Sequence, residues 1–139
     1  MIKPIAFLLL VFMVLTPVPA KAQQLYQELG GREGISQLVE SLILEIATDD
    51  RIIHYFADAD IDRFHEMLTL HICEVTGGPC TYTGAPMPEV HRGMAISASE
   101  FNALVEDLIA AMEAEKIPVG TQNKLLAILA AMRDDVIRL

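Results

Sequence analysis

Apolar residues recur at helical spacing in four separate stretches of this chain, and no stretch alternates in the way a half-buried strand does. Ile35, Leu38, Val39, Leu42 and Ile46 form the first stripe. Phe64, Leu68, His71, Ile72 and Val75 form the second, and Phe101, Leu104, Val105, Leu108 and Met112 the third. Leu125, Ile128, Leu129, Met132 and Val136 form the fourth. The pattern predicts an all-α protein built around four amphipathic helices. Ser97 and Glu100 have the spacing of a capping box at the start of the third helix, with Ile96 and Phe101 as its hydrophobic staple. Pro118 suits the start of the fourth.

Between the second and third stripes lies a run that no single helix or strand can occupy. Gly77 and Gly78 stop a helix, and three prolines follow at positions 79, 86 and 88. Long irregular connections in small domains usually carry function. This one ends in a short turn bearing His91. A neutral imidazole is a good ligand for iron, and a histidine on a short element beside a cavity suits the axial ligand of a haem.

The N-terminus reads differently. Lys3 precedes an apolar run from Ile5 to Leu15, and Ala20-Lys21-Ala22 follows two prolines. That is the pattern of a secretory signal at residues 1–22, cleaved after Ala22. The run is too short to span a bilayer, so no stable membrane insertion is expected after cleavage. The expected location is the periplasm or the exterior, and the expected domain runs over residues 23–139. Losing Lys3 and Lys21 takes the formal charge from −9 to −11. A chain this acidic repels nucleic acid and anionic membrane surfaces. Cys73 and Cys80 are compatible with a disulfide in an oxidising compartment, and equally with one buried and one exposed thiol. The chain has no Cys-x-x-Cys-His, the motif of c-type haem attachment.

Several motifs, in order and at matching separations, resemble the truncated (two-over-two) haemoglobins of the first group. Leu25-Tyr26-x-x-Leu29-Gly30-Gly31 is similar to that family's opening glycine motif. Arg51-Ile52-x-His54-Tyr55-Phe56-Ala57-Asp58 resembles its turn with a haem-packing phenylalanine, and Gly77 to His91 resembles its proximal segment. The resemblance spans about Leu25 to Arg138. It implies two helix pairs enclosing a non-covalent haem b, with His91 as the proximal iron ligand. It further implies Phe56 flat on the porphyrin, Met87 and Ile96 on the proximal side, Phe101 at the floor, and Arg63 and Arg92 near the haem propionates. Tyr82 is left between a propionate contact and a loop cap.

The same resemblance exposes a departure. Where many first-group members carry Phe-Tyr in the first main helix, this chain has Leu42 and Ile43. Where the second helix usually adds a polar group, it has Phe64 and Leu68. The ligand-facing wall is therefore expected to be apolar. Losing one hydrogen bond to oxygen costs roughly 1–3 kcal/mol, about five- to a hundredfold in affinity. Met67 and His71 are alternative sixth ligands for the iron, each with a plainer reading as core filler or satisfied histidine. His54 and His65 are expected to be exposed. Three functions follow: reversible binding of oxygen, carbon monoxide or nitric oxide by a monomer; nitric oxide dioxygenation with an unidentified redox partner; and electron transfer through six-coordinate haem.

Overall fold

The computed structural model describes residues 20–139, and it contains six α-helices and no strand among them. They are α1 (Ala20–Glu28), α2 (Gly31–Ile46), α3 (Ile61–Val75), α4 (Met87–Val90), α5 (Ala98–Ala114) and α6 (Val119–Ala130). Two 3-10 turns, Ile53–Phe56 and Arg133–Asp135, complete the chain. The expected signal lies outside the described residues, apart from the Ala20–Ala22 backbone that opens α1.

The first predicted stripe matches the buried face of α2 residue for residue: Ile35, Leu38, Val39, Leu42 and Ile46 are all buried. This helix packs against both α3 and α5. It runs antiparallel to α5: Ser41, in the C-terminal half of α2, bonds Glu115 just past the end of α5, while Arg51, beyond the C-terminal end of α2, pairs with Glu106 further back along α5. Ile72 and Cys73 from α3, Ala103, Leu108, Ala111 and Met112 from α5, and Leu125 from α6 complete the core.

The ends of the helices are set by local chemistry. The Asp60 carboxylate caps α3 by accepting the Arg63 amide at 3.0 Å. At the other end Gly77 takes φ +84°, which a residue with a Cβ adopts only with strain. The Gly78 amide then reaches back to the Cys73 carbonyl at 2.8 Å. The capping box predicted for α5 is formed: the Ser97 hydroxyl accepts the Glu100 amide, and the Glu100 carboxylate accepts the Ser97 amide.

The fourth stripe is not one helix. α6 ends at Ala130, and the amides of Met132, Asp135 and Val136 bond carbonyls three residues back. Asp134 and Asp135 put negative charge where the helix dipole is already negative, which opposes continuation. The short turn still presents Met132 and Val136 to the interior. Cys73 and Cys80 form a disulfide joining the end of α3 to the irregular loop. His65 departs from its expected exposure: it is half-buried, 3.1 Å from the Ser36 carbonyl across the α2–α3 contact.

Candidate cofactor site

A cavity of about 470 Å³ opens between α3, the 77–97 segment, α5 and α6. That volume falls within the roughly 300–1,000 Å³ of ordinary ligand and cofactor sites. Eight predicted site residues line it: Phe56, Phe64, Met67, Leu68, Met87, His91, Ile96 and Phe101. Arg63 does not. It is exposed at the first turn of α3, where its side chain extends into water, and Arg92 is likewise exposed. Ile43 also lies outside the cavity, because on α2 its neighbour Leu42 takes the inward position. Ile43 instead faces a smaller apolar groove that shares Phe56 and Phe64 with the cavity.

His91 terminates α4 with a definite ring orientation. Its Nδ1 lies 2.8 Å from the Met87 carbonyl oxygen, which can only accept. The ring proton therefore sits on Nδ1, and Nε2 keeps a lone pair. This is how metal-binding histidines are commonly fixed, with the second nitrogen donating to a backbone carbonyl. Met87 thus serves twice, its side chain in the wall and its carbonyl orienting the imidazole.

Most other polar groups in the wall are already engaged. The Tyr82 hydroxyl donates to the Ala85 carbonyl at 2.9 Å, so this tyrosine caps its loop. The Glu100 carboxylate accepts the Ser97 amide at 2.8 Å and the Ser97 hydroxyl at 2.7 Å, and its pKa is held below the usual range chiefly by that amide. His71 is the exception. It is buried with Nδ1 unpartnered, which corrects the expectation of a satisfied histidine. Its ring meets Tyr82 edge to face at 5.1 Å between centroids. Burial holds its pKa below the ordinary value, against an opposing pull from Glu74. At neutral pH it is an uncharged base with one nitrogen unspent.

The remaining surface is apolar, from Leu42 on α2 through Leu104 and Leu108 on α5 to Leu126 and Leu129 on α6. Leu104, Leu108 and Leu129 belong to the predicted stripes without having been expected at the site, and Leu126 belongs to none of them. Periodicity shows which face of a helix turns inward without distinguishing core from cavity. The Arg133 guanidinium covers the outer side of Phe101, 5.7 Å from its ring centre.

A family model described as bacterial-like globin matches residues 24–138. The chain belongs to the bacterial-like globin family. Its relatives place it with the truncated globins. The group 1 truncated hemoglobin of Tetrahymena pyriformis is 27% identical over 117 residues, 84% of this chain and 97% of the relative. The group 1 truncated hemoglobin GlbN of Synechocystis sp. is 30% identical over 112 residues, 78% of this chain and 87% of that one. The crystal structure of the Tetrahymena pyriformis protein in its Fe(III) form superposes with a TM-score of 0.80 at 26% identity, covering 83% of this chain and 98% of that one. Globins of this family bind haem, and haem-based gas binding is the activity that membership implies. The fold expected from the sequence, an all-helical truncated globin, is the one observed.

Proposed function

We propose that this globin is exported, holds haem b non-covalently on His91, and binds a diatomic gas reversibly. One observation carries the reading: His91 enters an apolar cavity of cofactor size with its Nδ1 proton fixed on the Met87 carbonyl and its Nε2 lone pair free. Haem held there by His91 would supply an iron atom able to bind a small gas. The chain's own part is to orient one ligand, to exclude water with Phe56, Phe64, Leu68 and Phe101, and to offer few donors to the gas. Phe56 and Phe64 meet edge to face at 5.1 Å and form a stiff corner of that enclosure.

The scarcity of donors favours simple gas binding over nitric oxide dioxygenation, which requires a long-lived oxygen complex. Neither Phe64 nor Leu68 can donate a hydrogen bond. A second reading, electron transfer through six-coordinate iron, is supported by the unspent Nδ1 of His71 and by Met67 in the same wall. The absorption spectrum of the reduced protein without added gas discriminates them. Five-coordinate iron is the expected result, and a six-coordinate spectrum moves electron transfer to first place. Export is tested separately by the intact mass of periplasmic protein, which is expected to begin at Gln23. Retention of residues 1–22 would remove the periplasmic assignment and leave the haem reading standing.

A further inference from the structure

The segment from Pro79 to Ala85 forms part of the cavity wall through Tyr82 and leads directly into the Met87–His91 turn. Its own backbone makes no backbone–backbone hydrogen bond with any described residue. Three tethers hold it. The Tyr82 amide donates to the Glu74 carboxylate at 3.1 Å, the Tyr82 ring packs on His71, and the Cys73–Cys80 disulfide fixes its start. The first is exposed and the second is a single ring contact, so the covalent tether dominates. The anchor beneath it is tight: a Cβ on Gly78 would lie 2.6 Å from the Cys73 sulfur and 2.5 Å from the Tyr26 ring.

We propose that the Cys73–Cys80 disulfide is a redox latch on the cofactor cavity, closed when oxidised and opened by a dithiol reductant. The two sulfurs differ in access, since Cys73 is fully buried and Cys80 is partly exposed. A thiolate of the dithiol attacks the Cys80 sulfur, the S–S bond breaks, and Cys73 leaves and takes up a proton. The second thiol then displaces Cys80, which is protonated in turn. Two electrons and two protons pass to the protein, and the reductant becomes a cyclic disulfide. Reduction leaves the 79–85 wall held only by the Glu74 and His71 contacts. Its opening frees Tyr82 from the cavity edge and loosens the approach to Met87 and His91. The oxidised form retains cofactor and the reduced form releases or accepts it.

This inference rests on the haem reading, and its test separates the two. Haem-loaded protein is mixed with excess apomyoglobin, and haem transfer is followed by absorbance before and after reduction with dithiothreitol. The reduced protein is expected to lose haem about tenfold faster or more, given the stabilisation a short disulfide loop provides. Reoxidation with oxidised glutathione is expected to restore the slow rate. The Cys73→Ala/Cys80→Ala variant is expected to lose haem fast with or without reductant, which separates the latch from any action of dithiothreitol on the iron. If the variant does not fold, native protein reduced and then freed of dithiothreitol under anaerobic conditions serves the same purpose. Equal haem-loss rates in the oxidised and reduced native protein overturn the latch. A chain that takes up no haem in either state overturns the haem reading instead. The latch is then decided by hydrogen exchange at the Tyr82 amide, which the Glu74 carboxylate accepts in the oxidised form: faster exchange on reduction supports it, and unchanged exchange overturns it.

Discussion

His71 and Asp107 are each buried, and each carries one polar atom without a partner, Nδ1 in one and Oδ2 in the other. Their surroundings differ. His71 faces a cavity with almost no polar surface, and burial keeps it neutral. Asp107 faces the α2–α3 connection, where Arg51 grips Asp49 through contacts of 2.8 to 3.1 Å. Burial, with repulsion from Asp49 and Glu45 outweighing attraction to Arg51, pushes the Asp107 carboxyl up to about 6. An unspent atom beside an empty space is available to whatever enters it. An unspent buried atom beside a second carboxylate holds a proton to higher pH than a free aspartate does. The first serves binding and the second couples stability to pH, so the two corners should respond to different experiments.

The largest effect belongs to the cavity. His91→Ala removes the imidazole of the cavity wall whose Nδ1 is fixed by a backbone carbonyl. Loss of stoichiometric haem binding, or a change of iron ligation, is expected in the absorption spectrum, with the thermal stability of the cofactor-free chain changed little. An unaltered haem spectrum would falsify the assignment of His91.

Next comes the apolar wall. Leu68→Gln places an amide donor where the cavity lacks one. Oxygen dissociation is expected to slow by roughly five- to a hundredfold, the worth of one buried hydrogen bond, with carbon monoxide dissociation little changed. Stopped-flow rates for both gases check it. Equal slowing of both would show that the glutamine obstructs exit rather than donating a hydrogen bond.

Both experiments use residues legible in the sequence, and the limits of that legibility are physical. The α2 stripe could be read because burial on a regular helix follows its period. The Gly77–Gly78 stop and the Ser97–Glu100 box could be read because capping chemistry is local. Asp107 could not, because it is buried only when the distant Asp49–Arg51 turn folds against α5. The disulfide stayed open because sequence does not give the 5.8 Å between the Cα atoms of Cys73 and Cys80. The fourth stripe runs six residues past the end of α6 because Met132 and Val136 keep the apolar phase after the hydrogen bonding has changed.

The carboxylate corner predicts a smaller effect, on stability alone. The folded pKa of Asp107 lies above the value of 3.8 expected for an unperturbed aspartate, so the folded state binds the proton more tightly. Its contribution is most favourable below about pH 4 and is lost as pH rises to about 6, on the order of 2–3 kcal/mol across that window. Asp107→Asn removes this dependence. The variant is expected to be more stable than the native chain by about 2 kcal/mol at pH 8, with the difference vanishing near pH 4 and the haem spectrum unchanged. Chemical denaturation at the two pH values checks this. An equal difference at both would mean that Asp107 does not exchange its proton on unfolding.

The smallest effect sharpens the comparison most, because it asks whether the unspent nitrogen of His71 has a use. His71→Phe keeps an aromatic edge against Tyr82 and removes the buried Nδ1. An unpaired buried polar atom costs about 1–3 kcal/mol, so the cofactor-free variant is expected to gain roughly 1 kcal/mol, a rise of a few degrees in Tm. If His71 has no ligand, the haem-loaded variant should gain as much as the cofactor-free one. If Nδ1 finds a partner once haem is present, the gain disappears or reverses in the loaded protein, since the substitution then removes a hydrogen bond along with the orphan. Calorimetry on loaded and cofactor-free forms of both proteins gives the four melting temperatures required. Equal gains in both forms would make His71 a cost of the fold, whereas a gain confined to the empty form would make it part of the binding site.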